Sequence, residues 1–280
     1  MDIREKFFLG LLEDINSKKL ILPTLPEVAI RVRKIVEDAR ASASATAKVV
    51  STDAALSARL MQVANSAYYR GQARVEGVQA AVARLGNNVV RNLVTGFALR
   101  QIYLVKCSTS TRRRLQALQE HNILVAAHSH VLARRFTQLK PDVALLGGLI
   151  HRIGALPILI RAESMPELLN DPQALDSVID QTHKMLGRAI LEAWNFPPSL
   201  VAVVVEHEDL QRDPAPQADY VDVVLVAVLH SYVGTEHPLS KVNWDEVPAF
   251  SKLGLSPRQH IEAMKEAREE VLDMQKLLSG

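Results

Sequence analysis

A chain of 280 residues, 48% of them hydrophobic, can fill a substantial core without help from crosslinks. Lys and Arg (33) nearly balance Asp and Glu (31), and a net charge of +2 gives no long-range field of the kind that draws a protein to nucleic acid or an anionic membrane. The single Cys107 excludes an internal disulfide and a thiolate metal site, and it points to a reducing, cytoplasmic setting.

Charges at Asp2, Arg4, Glu5, Lys6, Glu13 and Asp14 deny the N-terminus the apolar centre of a signal peptide. The longest apolar runs, Leu145 to Ile150 and Val221 to Leu229, stop well short of the roughly 20 residues that a spanning helix needs, so a soluble chain is expected. Apolar residues recur at i, i+3, i+4 spacing almost throughout, which predicts an all-α fold. The first helix spans Ile3 to Ser17, with Phe7, Leu11, Leu12 and Ile15 on one face and the polar Asn16-Ser17-Lys18-Lys19 stretch ending it. A second enters through Leu25-Pro26 and runs to about Asp38. Two short helices follow, Ser44 to Ser51 capped by Ser42 or Ser44, and Asp53 to Ser66 capped by Thr52 or Asp53. After a loop from Ala67 to Glu76, the stretch from Val78 to Val105 divides at Gly86-Asn87-Asn88 into two helices joined by a tight turn.

Lys106 to Thr111 is poor in large apolar residues and marks the best boundary. It separates an N-terminal helical half, residues 1–107, from a helical core, 108–236, which a C-terminal extension, 237–280, follows. Beyond the boundary, helices are predicted at about Arg112 to Thr137, Pro141 to Ile160, Asp176 to Trp194, Pro198 to His207, Ala218 to Val233 and Pro257 to Leu278, with prolines marking the breaks. In the last of these, Ile261, Met264, Ala267, Val271, Met274 and Leu278 form one stripe, expected to pack on its own domain.

Five short motifs then occur in order: Leu22-Pro23-Thr24-Leu25-Pro26-Glu27-Val28, Val49-Val50-Ser51-Thr52-Asp53-Ala54-Ala55-Leu56, Ala64-Asn65-Ser66-Ala67-Tyr68-Tyr69, Gln79-Ala80 and Arg84-Leu85-Gly86. Each has a structural reading: Asn65 and Ser66 can bond free backbone groups at a helix end, and Leu85-Gly86 suits a left-handed turn or a close approach. Together they resemble the HDOD family, and the similarity continues to about Tyr232. The resemblance implies one continuous module over about residues 15–235, an HD-domain-like multi-helix bundle with an N-terminal helical subdomain, related to HD-type metal phosphohydrolases.

The same resemblance assigns roles to the histidines. His121 with Asn122 looks like the first histidine helix of an HD domain, and Leu149-Ile150-His151-Arg152-Ile153-Gly154 like its His-Asp signature. Arg152 there brings a permanent positive charge where a carboxylate would orient a dication. His183 with Gly187 and Trp194-Asn195-Phe196-Pro197 resembles the next element, and Val205-Glu206-His207-Glu208 the stretch that holds paired histidines in metal-binding relatives. The last Asp of a catalytic HD protein falls on Val228-Leu229-His230-Ser231-Tyr232, where Ser231 stands instead. The expected site is therefore a degenerate pocket of His121, His151, Arg152, His183, Glu206, His207 and Ser231, with no catalytic residue and no cofactor; any metal would be Zn²⁺ or Ni²⁺ on His121, His151, His183 and His207. The bland reading is that these rings line a cavity, bonded to backbone or to Glu206 and Glu208. His128, His130, His230, His237 and His260 match no ligand position and are expected in packing or at the surface.

Arg112-Arg113-Arg114 opposes the dipole at a helix start, which hints at an anionic contact, with Arg134-Arg135 as an extension; a solvated face is the ordinary explanation. The resemblance implies a non-catalytic bacterial signalling module acting through protein partners or a nucleotide-type ligand. The alternative is an HD-type phosphohydrolase acting on nucleotides or cyclic dinucleotides. Nucleic acid is not an expected partner, despite a helix pair between Ser44 and Ser66 that could mimic helix-turn-helix.

Overall fold

A computed structural model describes residues 2–17, 22–38, 42–69, 71–254 and 256–279, and no β-strand occurs among them. Among the described residues, six α-helices make up the first half: α1 (Ile3–Asn16), α2 (Glu27–Glu37), α3 (Ala43–Val50), α4 (Ala54–Asn65), α5 (Val78–Leu85) and α6 (Asn87–Ala98), the last running into a 3₁₀ turn, Leu99–Tyr103. The expected caps are in place, Ser42 accepting from the Ala45 amide and Asp53 from those of Ala55 and Leu56. Phe7 and Leu11 of the α1 stripe are buried; the side chains of Leu12 and Ile15, and residues Lys18 and Lys19, fall outside the described set. Asn65 does not bond its own helix end: its amide donates to the Val75 carbonyl and accepts from the Val75 amide, both at 2.8 Å, which pins the following loop.

The second half is built on α7 (Thr109–Phe136), a 28-residue helix capped by Ser108. Around it lie α8 (Pro141–Ile150), α9 (Ala155–Ala162), α10 (Pro166–Leu169), α11 (Pro172–Ala193), α12 (Pro198–Glu206), α13 (Tyr220–Ser231), α14 (Pro248–Lys252), α15 (Pro257–Glu266) and α16 (Arg268–Ser279). Helix α7 packs most heavily on α8 and α13, and α6 crosses from the first half to pack on α8. The predicted helix from Pro141 to Ile160 is two, broken by a turn at residues 151–154, and the C-terminal one is two, broken at Ala267. By composition alone Pro141–Ala162 is long and apolar enough to cross a membrane, but 78% of its most apolar window is buried inside the fold. Proline opens α8, α10, α11, α12 and α14, where its missing N–H costs nothing and its φ is already helical.

Two contacts bring the halves into register. The Arg33 guanidinium of α2 donates to the carbonyls of Trp194 (3.0 Å) and Asn195 (2.6 Å) and lies 4.3 Å from the Phe196 ring centroid. In return the Trp194 indole donates to the Pro23 carbonyl at 3.0 Å. The Leu22–Val28 motif and the Trp194–Pro197 motif are thus two sides of one joint.

Candidate functional site

Four of the expected residues converge. His121 sits midway along α7, His151 follows α8, His183 lies on α11 and His207 ends α12. Close backbone approach sets their spacing. A Cβ on Gly148 would lie 2.5 Å from the Ala126 Cα of α7, and one on Gly154 would lie 1.9 Å from the His183 carbonyl oxygen. The glycines therefore allow α8 and its exit turn to press onto the helices that carry the other imidazoles. Ring centroids are 5.3 Å apart for His121 and His151, 4.9 Å for His151 and His207, and 5.8 Å for His183 and His207.

The tautomers follow from simple chemistry. The Nδ1 atoms of His151, His183 and His207 face the carbonyls of Gly148 (2.7 Å), Ile179 (3.2 Å) and Val203 (2.9 Å). A carbonyl can only accept, so each Nδ1 carries a proton and each Nε2 faces away from it. Those three Nε2 atoms, and that of His121, are buried without a hydrogen-bond partner. Burial first, and then the Arg152 charge, bring His121 down to about 4 and His183 to about 3; burial and its imidazole neighbours hold His151 well below the ordinary range. All three stay neutral near pH 7.

Glu208 joins the cluster. Its Oε1 lies 3.4 Å from His183 Nε2 and 3.5 Å from His207 Nε2, while Oε2 pairs with Lys184 at 2.8 Å. Burial works to raise this carboxyl, but the polar groups around its two oxygens, Lys184 the charged one among them, hold Glu208 below the usual carboxylate range. From the sequence, Glu208 is expected only as a hydrogen-bond partner for the rings; adjacency to His207 was the available signal. Glu206, expected in the pocket, is elsewhere: it pairs with Arg212 at 2.6 Å, and Arg212 also holds Asp219 and Asp222. Two positions separate the two glutamates, Glu206 the last of α12 and Glu208 just beyond it, enough to send their side chains apart.

Arg152 borders the cluster but bonds outward to Asp180 at 3.1 Å, and one turn earlier on α11 Asp176 holds Arg114 at 2.7 Å. Both arginines line an open cavity of about 380 Å³ that also touches His121, Tyr232 and His237. Tyr232 stacks on His237, centroids 3.7 Å apart, and on His121 at 5.2 Å. His237, expected only in packing or at the surface, thus reaches the cavity. Ser231 turns its hydroxyl back to the Val228 carbonyl of its own helix at 2.7 Å. Of the arginine triplet only Arg114 lines the cavity; Arg112 reaches the Val105 carbonyl at 3.4 Å and Arg113 is exposed. Arg134 lies over the Tyr68 ring and Arg135 pairs with Glu270, so the proposed extension is spent on packing.

Buried, unpartnered imidazole nitrogens, three of them oriented by a carbonyl on the far nitrogen, are the donor set of a borderline divalent ion such as Zn²⁺, Ni²⁺ or Co²⁺, and the residues fit one; Mg²⁺ and Ca²⁺ call for oxygen.

Comparison with known proteins places these features in context. The model of the HDOD domain matches residues 22–210. A crystal structure from Shewanella amazonensis SB2B, of a protein provisionally named a metal-dependent phosphohydrolase, is similar over 99% of this chain and 98% of its own, with 28% identity and a TM-score of 0.81. An HDOD domain protein of unknown function from Geobacter sulfurreducens shares the fold at 20% identity and a TM-score of 0.70, over 99% of this chain and 98% of its own. An uncharacterized protein of Treponema pallidum (strain Nichols) is 23% identical over 223 residues, which are 74% of this chain and 41% of that relative's length.

Proposed function

Since this chain belongs to the HDOD domain family, we propose that it is a regulatory module of bacterial signalling that does not turn over phosphoesters and acts through protein partners in the cytoplasm. One observation carries this reading. Where the resemblance to HD hydrolases puts a carboxylate beside His151, Arg152 stands and is committed to Asp180. At the other acidic position Ser231 has spent its hydroxyl on its own helix. A centre that must hold a dication and activate water for attack needs that negative charge. The cavity beside it, with two arginines and the Tyr232–His237 stack, suits a small nucleotide-type ligand as the signal.

The test is a hydrolysis assay on the purified chain with Mn²⁺, Ni²⁺ and Zn²⁺, using bis(p-nitrophenyl) phosphate, mononucleotides and cyclic dinucleotides. No turnover above that of the free ions is expected. Metal-dependent turnover abolished by His151→Ala would overturn the reading. A native pull-down, with and without nucleotides, is expected to recover a specific partner.

One observation favours the second reading, a metal phosphohydrolase: the four buried Nε2 atoms left without partners. An ion held by His151, His183 and His207 would supply Lewis-acid chemistry and a more acidic water. The chain itself supplies no carboxylate at positions 152 and 231, where the resemblance expects one.

A further inference from the structure

We propose that Glu208 is the anionic ligand of a single transition-metal ion held with His183 and His207, the charge missing from positions 152 and 231 being supplied from a new place. The distances carry the argument. With bonds of about 2.0–2.1 Å to imidazole nitrogen and carboxylate oxygen, the edge of a tetrahedral site is about 3.3 Å. Glu208 Oε1 already lies 3.4 and 3.5 Å from the two Nε2 atoms, and one ligand atom from each of the three residues falls within 4.8 Å of the others.

Orientation agrees with distance. The Nδ1–H of His183 and of His207 is fixed on a carbonyl one turn back along its own helix, which turns both Nε2 atoms inward towards Glu208. Lys184 holds the outer oxygen of Glu208 and so directs the inner one at the rings. Buried polar atoms in folded proteins are almost always satisfied, yet His183 Nε2 and His207 Nε2 are not. His151, whose ring centroid is 4.9 Å from that of His207, offers its Nε2 as a fourth ligand atom. Two imidazoles and one carboxylate select a borderline cation over Mg²⁺ or Ca²⁺, and a single carboxylate offsets the charge of one ion, not of a pair.

This proposal shares its residues with the regulatory reading but is tested apart from it. The full chain, stripped with a chelator, is titrated with Zn²⁺ and with Co²⁺. One ion per chain by elemental analysis, visible Co²⁺ bands of tetrahedral intensity and a raised melting midpoint are expected. Glu208→Gln keeps the shape and removes the charge; it should weaken binding ten- to a hundredfold. Glu206→Gln makes the same change two residues away and should leave affinity as it was. Helical circular dichroism of the stripped variants confirms that each is folded. Absence of stoichiometric binding, or a Glu208→Gln chain that binds as tightly as its parent, overturns the site. Hydrolysis by the loaded parent chain would instead sink the regulatory reading and leave the site standing.

Discussion

Gly154 shows how tightly one position can govern the histidine cluster. A methyl group there would collide with the His183 carbonyl and lie 2.6 Å from the Gly187 amide nitrogen, both main-chain atoms that cannot step aside. Gly154→Ala should therefore destabilise the fold by about 2–3 kcal/mol, read as a lower urea midpoint at unchanged slope; a neutral effect would mean that the exit turn of α8 is looser than described. Arg152 behaves differently. Its pair with Asp180 is half in solvent, so Arg152→Ala should change stability by less than about 1 kcal/mol in the same measurement. These residues were unequally legible. His121, His151, His183 and His207 stand out in the sequence because they recur in an ordered pattern, and the structure brings them together. Glu206 and Glu208 flank one histidine symmetrically, and only the end of α12 decides that one faces Arg212 and the other the rings.

At the scale of elements, most helix starts could be read from caps and prolines, since both act locally. Two breaks could not. The apolar run from Pro141 to Ala162 has no proline at residues 151–154, and the short His151-Arg152 pair fits a helix interior as well as a break; the chain bends there because Gly154 must meet α11. Ala267, where the C-terminal helix divides, is an ordinary helix former, and its fully buried position reflects tertiary packing and not local preference. The joint between α2 and the end of α11 is the element-level contact most open to test. Arg33→Ala removes two hydrogen bonds from a charged donor and a stacked guanidinium, at a cost of about 2 kcal/mol. Arg33→Lys should rescue little, because an ammonium cannot bridge both carbonyls while covering Phe196. Urea titrations of the two variants decide this.

For the molecule as a whole, the boundary expected at Lys106–Thr111 is crossed by packing on both sides. Helix α1 packs on α10 and α11, and α16 packs on α7 and α4. Leu25, Ala29, Ala98 and Leu99 from the first half share one buried cluster with Leu146, Ile150, Ile190 and Leu200 from the second. A fragment ending at residue 107 should accordingly lack cooperative unfolding by circular dichroism. Acid should also act on the whole fold through a second set of histidines, away from the proposed metal ligands. Burial brings His128 down to about 4 and, with lesser help from nearby charges, His130 and His230 to about 3. The folded chain keeps these rings neutral, while the unfolded chain protonates them near 6.5, so it binds more protons below that value. Stability should fall as pH drops from about 6.5 towards 4, by up to about 1.4 kcal/mol per pH unit for each ring. Unfolding free energies that stay flat from pH 7 to 5 would contradict this.

Helix α7 runs 28 residues without interruption, about 42 Å from end to end. Arg114 at the cavity, His121 at the imidazole cluster and Arg135 against Glu270 of α16 all ride on it. A ligand between Arg114 and Arg152 that tilted this helix would thus displace Arg135 and its Glu270 partner as well, carrying the change towards the C-terminal helices.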